Sequence, residues 1–149
     1  MISPTDRNGF TLIELAVVLA VMGLMLGLVL THGPMRSPTL ENRAAATQVA
    51  QGLRSARARA IELNRPVTFS LDLAGHNFRI DNAPPQPLPP ALRLSMLTIA
   101  GKANQDTGDI SFAPDGSSSG GRIELDGNGG RLLVGVDWLT GRVSVADAK

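Results

Sequence analysis

The serine-rich stretch Gly116–Gly120 comes nearest to catalytic chemistry. Ser118 has a glycine two residues away on each side, as in the nucleophile elbow of serine hydrolases. That elbow requires a strand before the serine and a helix after it, whereas an alternating β pattern follows here. His32 and His76 are the only histidines that could act as a base, and there is no cysteine. We therefore interpret the stretch as a structural turn and predict no catalytic residue and no enzymatic activity.

Two other segments have residue types that can bind ligands. Asp126–Gly130 resembles the start of a calcium loop, but Asp137 stands where such a loop carries its twelfth-position glutamate. No glycine-lysine-serine or glycine-lysine-threonine sequence follows the glycines, which argues against a phosphate loop. A tight turn explains Asp126–Gly130 better, and we interpret His76 as a solvent-exposed turn residue. We predict no metal site, no cofactor and no small-molecule substrate.

Three arginines, Arg54, Arg57 and Arg59, lie on one predicted helix. No aromatic residue is interleaved with them, and residues 36–149 carry 13 Lys plus Arg (14 in the chain less Arg7) against 11 Asp plus Glu, a net charge of +2. A nucleic-acid surface usually has a stronger basic excess. This favours a solvated helix face, with DNA as the weaker alternative partner.

The longest apolar run extends over the 21 residues from Phe10 to Leu30, and Glu14 is its only charged residue. As a helix rising about 1.5 Å per residue, it would cover about 31 Å, which matches the hydrocarbon core of a bilayer. A carboxylate there needs a partner. Thr11 and Glu14 could form a capping box, and the run could also be a signal anchor or a secretory signal peptide ending near Thr31, although it is long for the latter.

The segment Gly9–Glu14, with sequence GFTLIE, resembles the class III signal of type IV pilins and pseudopilins. The resemblance implies that a prepilin peptidase cuts between Gly9 and Phe10 and methylates the new amine of Phe10. It also implies that Glu14 of one subunit neutralises this amine on a neighbouring subunit, as a register device for assembly. Such a pair is strong in a low-dielectric helix bundle, where an unpaired charge is penalised.

A second resemblance rests on residues 112–125 and 136–143. Both segments are similar to the C-terminal motifs of the GspH/FimT pseudopilin family, whereas residues 74–109 match no family pattern. The positions that carry this resemblance are Phe112, Pro114, Asp115, Gly116, Gly120, Gly121, Asp137, Thr140, Gly141 and Arg142.

One helix followed by short strands is predicted after the apolar run. Ser37 can cap the helix with Pro38 at its first position, and the amphipathic segment of that helix covers Leu40–Leu63. Its apolar stripe consists of Val49, Leu53, Ala56, Ala60 and Leu63. Alternation then predicts a hairpin over 67–80 and strands near 92–96, 110–112, 123–125, 132–138 and 143–145, with Trp138 in the core. The proline-rich segment 82–91 is predicted to be an extended connector without an element of its own.

These patterns predict an α+β fold, in which an amphipathic helix packs on antiparallel β-sheets as in the pilin-like β-sandwich. We predict a leader peptide (1–9), a transmembrane pilin helix (10–30), a hinge (31–39) and a periplasmic domain (40–149). The family resemblance, not the charge distribution, gives the orientation, in the inner membrane with the C-terminal domain in the periplasm.

The family resemblance also implies a function. It implies a minor pseudopilin, resembling the H-type subunit, near the tip of the type II secretion pseudopilus, where it supports export of folded proteins across the outer membrane. The implied partners are other minor and major pseudopilins, the prepilin peptidase and the inner-membrane assembly platform. The alternative is a minor pilin of a type IV pilus that takes up DNA, which the absence of an arginine-rich tail disfavours.

Overall fold

A computed structural model of the chain describes residues 11–31, 37–98 and 106–148. The chain divides into two compact units, Met1–Met35 and Arg36–Lys149. The predicted leader, Phe10 and residues 32–36 of the predicted hinge lie outside the described residues.

The first unit contains helix α1, Leu12–Thr31. It is rich in leucine and valine and lies within one or two residues of the helix predicted over 10–30. The large apolar side chains between Leu12 and Leu28 are exposed, from 46% at Val18 to 86% at Leu12. Among the residues that the structure describes, no helix is both long and apolar enough to cross a membrane.

The second unit begins with helix α2, Pro38–Leu63, so the predicted helix start with Pro38 at the first position is confirmed. Pro38 occupies the first turn, where its missing N–H costs no hydrogen bond. The predicted side-chain cap by Ser37 is wrong, because this side chain makes no capping hydrogen bond. The Ser37 carbonyl instead accepts hydrogen bonds from the backbone N–H groups of Leu40 and Glu41, at 2.9 and 3.1 Å.

The apolar stripe of α2 is confirmed over most of its length. Val49, Leu53, Ala56 and Ala60 are fully buried. Leu63 is 51% exposed, so its prediction as part of the buried stripe is wrong. It is the last residue of the helix, next to Asn64, which turns the chain away in a left-handed conformation.

Eight antiparallel strands follow α2 in the described part of the chain. They are β1 (Val67–Asp72), β2 (Asn77–Ile80), β3 (Gln86–Pro87), β4 (Arg93–Leu97), β5 (Thr107–Phe112), β6 (Gly121–Gly127), β7 (Gly130–Val136) and β8 (Val143–Ala148). One sheet has the order β3-β2-β1-β5 and the other the order β4-β6-β7-β8. Helix α2 packs on strands of both sheets. The predicted α+β architecture, with an amphipathic helix on antiparallel sheets, is confirmed.

An aromatic pair anchors α2 to the first sheet. The rings of Phe69 and Phe78 are stacked with centroids 5.1 Å apart, and both residues are buried. A Cβ atom at Gly52 would lie 2.6 Å from the Phe78 ring. Glycine at this position therefore allows the helix backbone to lie directly on the two rings.

The proline-rich segment and His76 differ from their predictions. Gln86 and Pro87 form β3 against β2, and the nearby Leu88 and Leu92 are buried. His76 is half-buried, its Nε2 atom lies 2.8 Å from the Leu92 carbonyl oxygen, and its own carbonyl accepts a 2.7 Å hydrogen bond from the Leu88 N–H. These bonds hold the segment against the hairpin, so the predictions of an element-free connector and an exposed histidine are wrong.

Candidate functional site

The start of α1 contains the charged residue of the apolar run. The Glu14 backbone N–H donates to the Thr11 hydroxyl oxygen at 3.3 Å and to the Thr11 carbonyl at 3.1 Å. Thr11 therefore forms its half of the predicted capping box. The Glu14 carboxylate has no hydrogen-bond or ion-pair partner within the described residues, so capping does not account for its charge. Gly9 and Phe10, its predicted functional neighbours, lie outside those residues.

The two C-terminal motif segments meet in space, which the sequence did not predict. The connection between β5 and β6, residues 113–120, is the first loop, and the connection between β7 and β8, residues 137–142, is the second loop. The two loops lie side by side. The Ser118 N–H donates to the Trp138 carbonyl at 2.9 Å, and the Ser118 hydroxyl donates to the Asp137 carbonyl at 3.0 Å. The Gly120 N–H donates to the same hydroxyl oxygen at 3.0 Å. Ser118 is thus fully engaged in joining the two loops, and the predicted structural turn is confirmed.

Asp115 and Pro114 build the first loop. The Gly116 N–H donates to the Ala113 carbonyl at 2.9 Å, which closes a β-turn with proline and aspartate at its two central positions. The Asp115 carboxylate accepts hydrogen bonds from the hydroxyl and the N–H of Ser117, at 2.6 and 2.9 Å. The hydrogen bond from the Ser117 hydroxyl has the larger effect and that from the Ser117 N–H the next largest, and both lower the pKa of Asp115 below its ordinary value.

Asp137 builds the second loop in the same way. One of its carboxylate oxygens accepts hydrogen bonds from the Thr140 N–H and hydroxyl, both at 2.8 Å, and from the Leu139 N–H at 3.1 Å. The bonds from Thr140 lower the pKa of Asp137. Both motif aspartates therefore act as turn-forming acceptors, the role that Asp side chains commonly take in loops.

The motif glycines allow the loops to approach each other and α2. Gly116, Gly120 and Gly141 have positive φ angles of 85°, 70° and 61°, a region that L-residues with a Cβ avoid. A Cβ atom at Gly141 would overlap the Gly116 carbonyl oxygen. That carbonyl also accepts a 3.0 Å hydrogen bond from Arg57 Nε on α2.

Phe112 and Gly121 hold the loops at the sheet ends. Phe112, at the end of β5, is fully buried and forms an isolated bridge with Ser118. Gly121, at the start of β6, pairs with Val136, and a Cβ atom there would lie 3.0 Å from the Ile110 side chain.

Trp138 is 61% exposed, so its predicted core position is wrong. Leu132, Val134 and Val136 are buried with the predicted parity, but β7 ends at Val136 and the turn at Asp137 interrupts the alternation. The adjacent Leu139 is 63% exposed. The second loop consequently presents two neighbouring apolar side chains to solvent.

The arginines of α2 do not form the uniformly solvated face that the sequence predicts. Arg57 is half-buried and bonds the first loop, and Arg54 Nη2 lies 3.4 Å from the Val143 carbonyl oxygen. Arg59 is exposed. Between α2 and the second loop lies an open pocket of about 420 Å³, lined by Arg54, Arg57, Thr140, Gly141, Arg142 and Val143.

The described residues contain no group of three His, Asp or Glu side chains arranged to hold a metal ion. The segment Asp126–Gly130 forms the tight connection between β6 and β7, with Gly127 paired to Gly130. Its predicted interpretation as a tight turn is confirmed.

Comparison with known protein families identifies the family to which this chain belongs. The family described as type II transport protein GspH matches residues 45–140, which include most of α2, strands β1 to β7, the first loop and most of the second. The chain belongs to the GspH family. The prokaryotic N-terminal methylation motif matches residues 5–30. The predicted type IV pilin-like minor pseudopilin is thereby confirmed.

Individual relatives agree with this family. The type II secretion system protein H of Xanthomonas campestris pv. campestris is 32% identical over 140 residues, covering 91% of this chain and 81% of that protein. The minor pseudopilin EpsH from the type 2 secretion system of Vibrio cholerae has a TM-score of 0.56 at 13% identity, covering 72% of this chain and 97% of EpsH.

A type IV minor pilin shares the same fold. FimU of Pseudomonas aeruginosa has a TM-score of 0.56 at 16% identity, covering 71% of this chain and 88% of FimU. At these identities the two solved structures establish the pilin-like fold and do not separate secretion from a pilus. The family match and the Xanthomonas relative do, and they favour the predicted secretion role over DNA uptake.

The contact between the two loops gives a prediction for Gly141 in this GspH-family chain. Gly141→Ala is expected to lower the free energy of unfolding by about 2–4 kcal/mol, because it combines a positive-φ penalty with overlap at the Gly116 carbonyl. Gly130→Ala isolates the conformational part, since its φ is 110° and no atom lies within 4 Å of the added Cβ. Gly135→Ala meets only the Ser144 hydroxyl, at 3.3 Å, and should stay within about 1 kcal/mol of wild type. Denaturant unfolding measures all three, and an unchanged midpoint for Gly141→Ala would contradict the prediction.

The lowered pKa of Asp137 gives a second prediction, for pH dependence. Its pKa is lowered from 3.8 in the folded state, so the ionised carboxylate stabilises the fold above that value and loses this effect as the pH falls through the folded-state pKa. Asp137→Asn, which is neutral at every pH, should be less stable than wild type at neutral pH, and the difference should vanish in acid. Asp147→Asn removes a carboxylate without a described hydrogen bond and serves as the control. A stability difference for Asp137→Asn that is the same at neutral and acidic pH would rule out the charge-dependent turn.

Proposed function

We propose that this chain is a structural subunit near the tip of a type II secretion pseudopilus, where it supports export of folded proteins across the outer membrane. The observation that carries the proposal is the match to a type II secretion system protein H over 91% of the chain. The C-terminal loops are consistent with a structural role, since their polar side chains form hydrogen bonds within each loop and between the two loops. Ser118 in particular makes hydrogen bonds within the loops, and we propose no catalytic role for this chain.

The proposed processing follows from the N-terminal motif. The prepilin peptidase removes residues 1–9 by cutting between Gly9 and Phe10, and it methylates the new amine of Phe10. The methylation-motif match to residues 5–30 supports this step. The cation formed at Phe10 pairs with Glu14 of a neighbouring subunit, whose carboxylate has no partner among the described residues of its own chain.

The proposed location is the inner membrane, with a single anchor and the C-terminal domain in the periplasm. The support is the sequence from Phe10 to Leu30, which has one charged residue in 21, together with the methylation motif. The proposed partners are other minor and major pseudopilins and the inner-membrane assembly platform. They would pack against the N-terminal helix and the exposed surface of the domain.

A clean deletion in the source organism, scored for exoprotein release and for DNA uptake, tests this function. The proposal expects exoproteins trapped in the periplasm while transformation continues. Re-expression of the wild-type chain should restore release and controls for effects on neighbouring genes. Normal secretion with lost transformation would overturn the proposal and assign the chain to a type IV pilus.

A further inference from the structure

The pocket between α2 and the second loop concentrates positive charge without a matching acid. Arg54 and Arg57 on α2 and Arg142, the last residue of the second loop, line it. Within residues 37–98 and 106–148, no carboxylate oxygen lies within 4 Å of a nitrogen of these three side chains. Arg142 shares a neighbouring pocket with Asp137, but that carboxylate accepts the bonds of Leu139 and Thr140 instead.

Two arginines elsewhere in the same domain, Arg65 and Arg131, are paired. Arg65 lies 3.0 Å from Asp81, and Arg131 lies 3.9 Å from Glu124 and 3.7 Å from Asp126. A half-buried guanidinium without an anion is unfavourable relative to a paired one. Arg57 is the half-buried member of the three, and Arg54 and Arg142 beside it are exposed. The pocket therefore brings three described cations without a carboxylate partner to one place, where they can face a negative charge from outside the chain.

The guanidinium groups are also positioned in advance. Arg57 Nε is bonded to the Gly116 carbonyl at 3.0 Å, and Arg54 Nη2 lies 3.4 Å from the Val143 carbonyl oxygen. Each guanidinium has five N–H donors in a planar fork, so both retain donors for a ligand. A carboxylate suits this geometry because it accepts two parallel hydrogen bonds from one arginine.

We propose that this pocket binds an acidic side chain of a partner protein in the pseudopilus. The pocket, about 420 Å³ and open to solvent, has room for a side chain, and the exposed Trp138 and Leu139 extend from the same loop as Arg142. Arginine and tryptophan beside an apolar patch are typical of protein–protein interfaces. A DNA surface would instead spread its cations to follow the phosphates, and residues 36–149 have a net charge of only +2.

This inference rests on the proposed role as an assembly subunit and names the chemistry of its partner. The test uses the full-length chain in detergent and a fluorescent peptide of alternating glutamate and valine. A peptide with glutamine in place of glutamate and a short duplex DNA are the comparison probes. The glutamate peptide should bind, and the glutamine peptide should bind at least about tenfold more weakly, as expected for loss of charge-assisted hydrogen bonds.

A matched pair of double variants locates the binding. Arg54→Gln with Arg142→Gln should weaken glutamate-peptide binding by about tenfold or more, whereas Arg59→Gln with Arg79→Gln, which removes the same charge outside the pocket, should stay within about twofold. Arg57 is left intact because it holds the Gly116 carbonyl, and thermal unfolding confirms that each variant is folded. Absence of peptide binding, equal losses in the two double variants, or stronger binding of DNA than of the glutamate peptide would each overturn the inference.

Secretion by the same variants separates this inference from the proposed function. In the deletion strain, Arg54→Gln with Arg142→Gln should restore secretion poorly, and the control double variant should restore it fully. Full restoration by the pocket variant would overturn the inference and leave the secretion role intact. Normal secretion by the deletion strain itself would overturn the proposed function instead, whatever the peptide measurements show.

Discussion

Replacing Gly9 with valine is expected to leave the chain uncut, as a precursor that retains residues 1–9. Glycine has no Cβ, so a peptidase can approach its backbone closely. A branched side chain next to the scissile bond would obstruct that approach, and the Phe10 amine would be neither released nor methylated. Intact mass and N-terminal sequencing of the protein from its source organism measure both effects. We expect complete loss of processing.

Gly33→Val is the informative control for this result. If the apolar run were a secretory signal peptide, cleavage would occur among the small residues beyond it, near Thr31 and Gly33. Valine at 33 would then block removal, and valine at 9 would have no effect. Normal processing of Gly33→Val together with an uncut Gly9→Val supports the prepilin assignment. The reverse pattern would replace it with signal-peptide removal.

The periodic parts of the chain could be predicted from the sequence. Helix α2 follows from apolar residues spaced by three and four, and its buried stripe from Val49 to Ala60 is confirmed. The hairpin of β1 and β2 follows from period-two alternation around a glycine-containing turn. Both patterns express a single physical condition, which is that one face of an element is buried and the other meets water.

The errors arise where a local pattern stops or a distant group intervenes. The parity that buries Val134 and Val136 also predicts a buried Trp138, but β7 ends at Val136 and Asp137 begins a turn. Asp137, followed by Thr140 and Gly141, is the signal of that turn in the sequence and marks the end of the strand. The position of His76 depends on Leu92, sixteen residues away, and no local pattern encodes such a contact.

The candidate site shows the same division. The family resemblance identifies the residues of both C-terminal loops. It does not predict that the loops contact each other through Ser118 and Asp137. Charge patterning predicts a solvated Arg57, yet its Nε donates to the carbonyl of Gly116, 59 residues along the chain. A glycine carbonyl as the partner of an arginine leaves no trace in charge patterning, because it carries no side chain that could be matched with the cation.

Replacing Glu14 with alanine is expected to leave the C-terminal domain folded and to prevent incorporation into fibres. Removing one partner of a buried ion pair costs about 3–5 kcal/mol, which corresponds to more than about a hundredfold in an association constant. The helix start should survive, because Thr11 receives the backbone N–H of residue 14 and not its carboxylate. Alanine keeps that N–H. The variant therefore removes the charge of Glu14 without removing the cap.

Thr11→Ala gives the complementary change. It removes the capping hydroxyl at a cost of about 1 kcal/mol while leaving the carboxylate in place, so its fibres should form. Sheared fibres quantified by immunoblot measure incorporation, and circular dichroism of the purified chains measures folding. If Glu14 served only to start the helix, Thr11→Ala would impair assembly at least as much as Glu14→Ala. Wild-type incorporation of Glu14→Ala would show that pairing with the Phe10 amine is dispensable in this subunit.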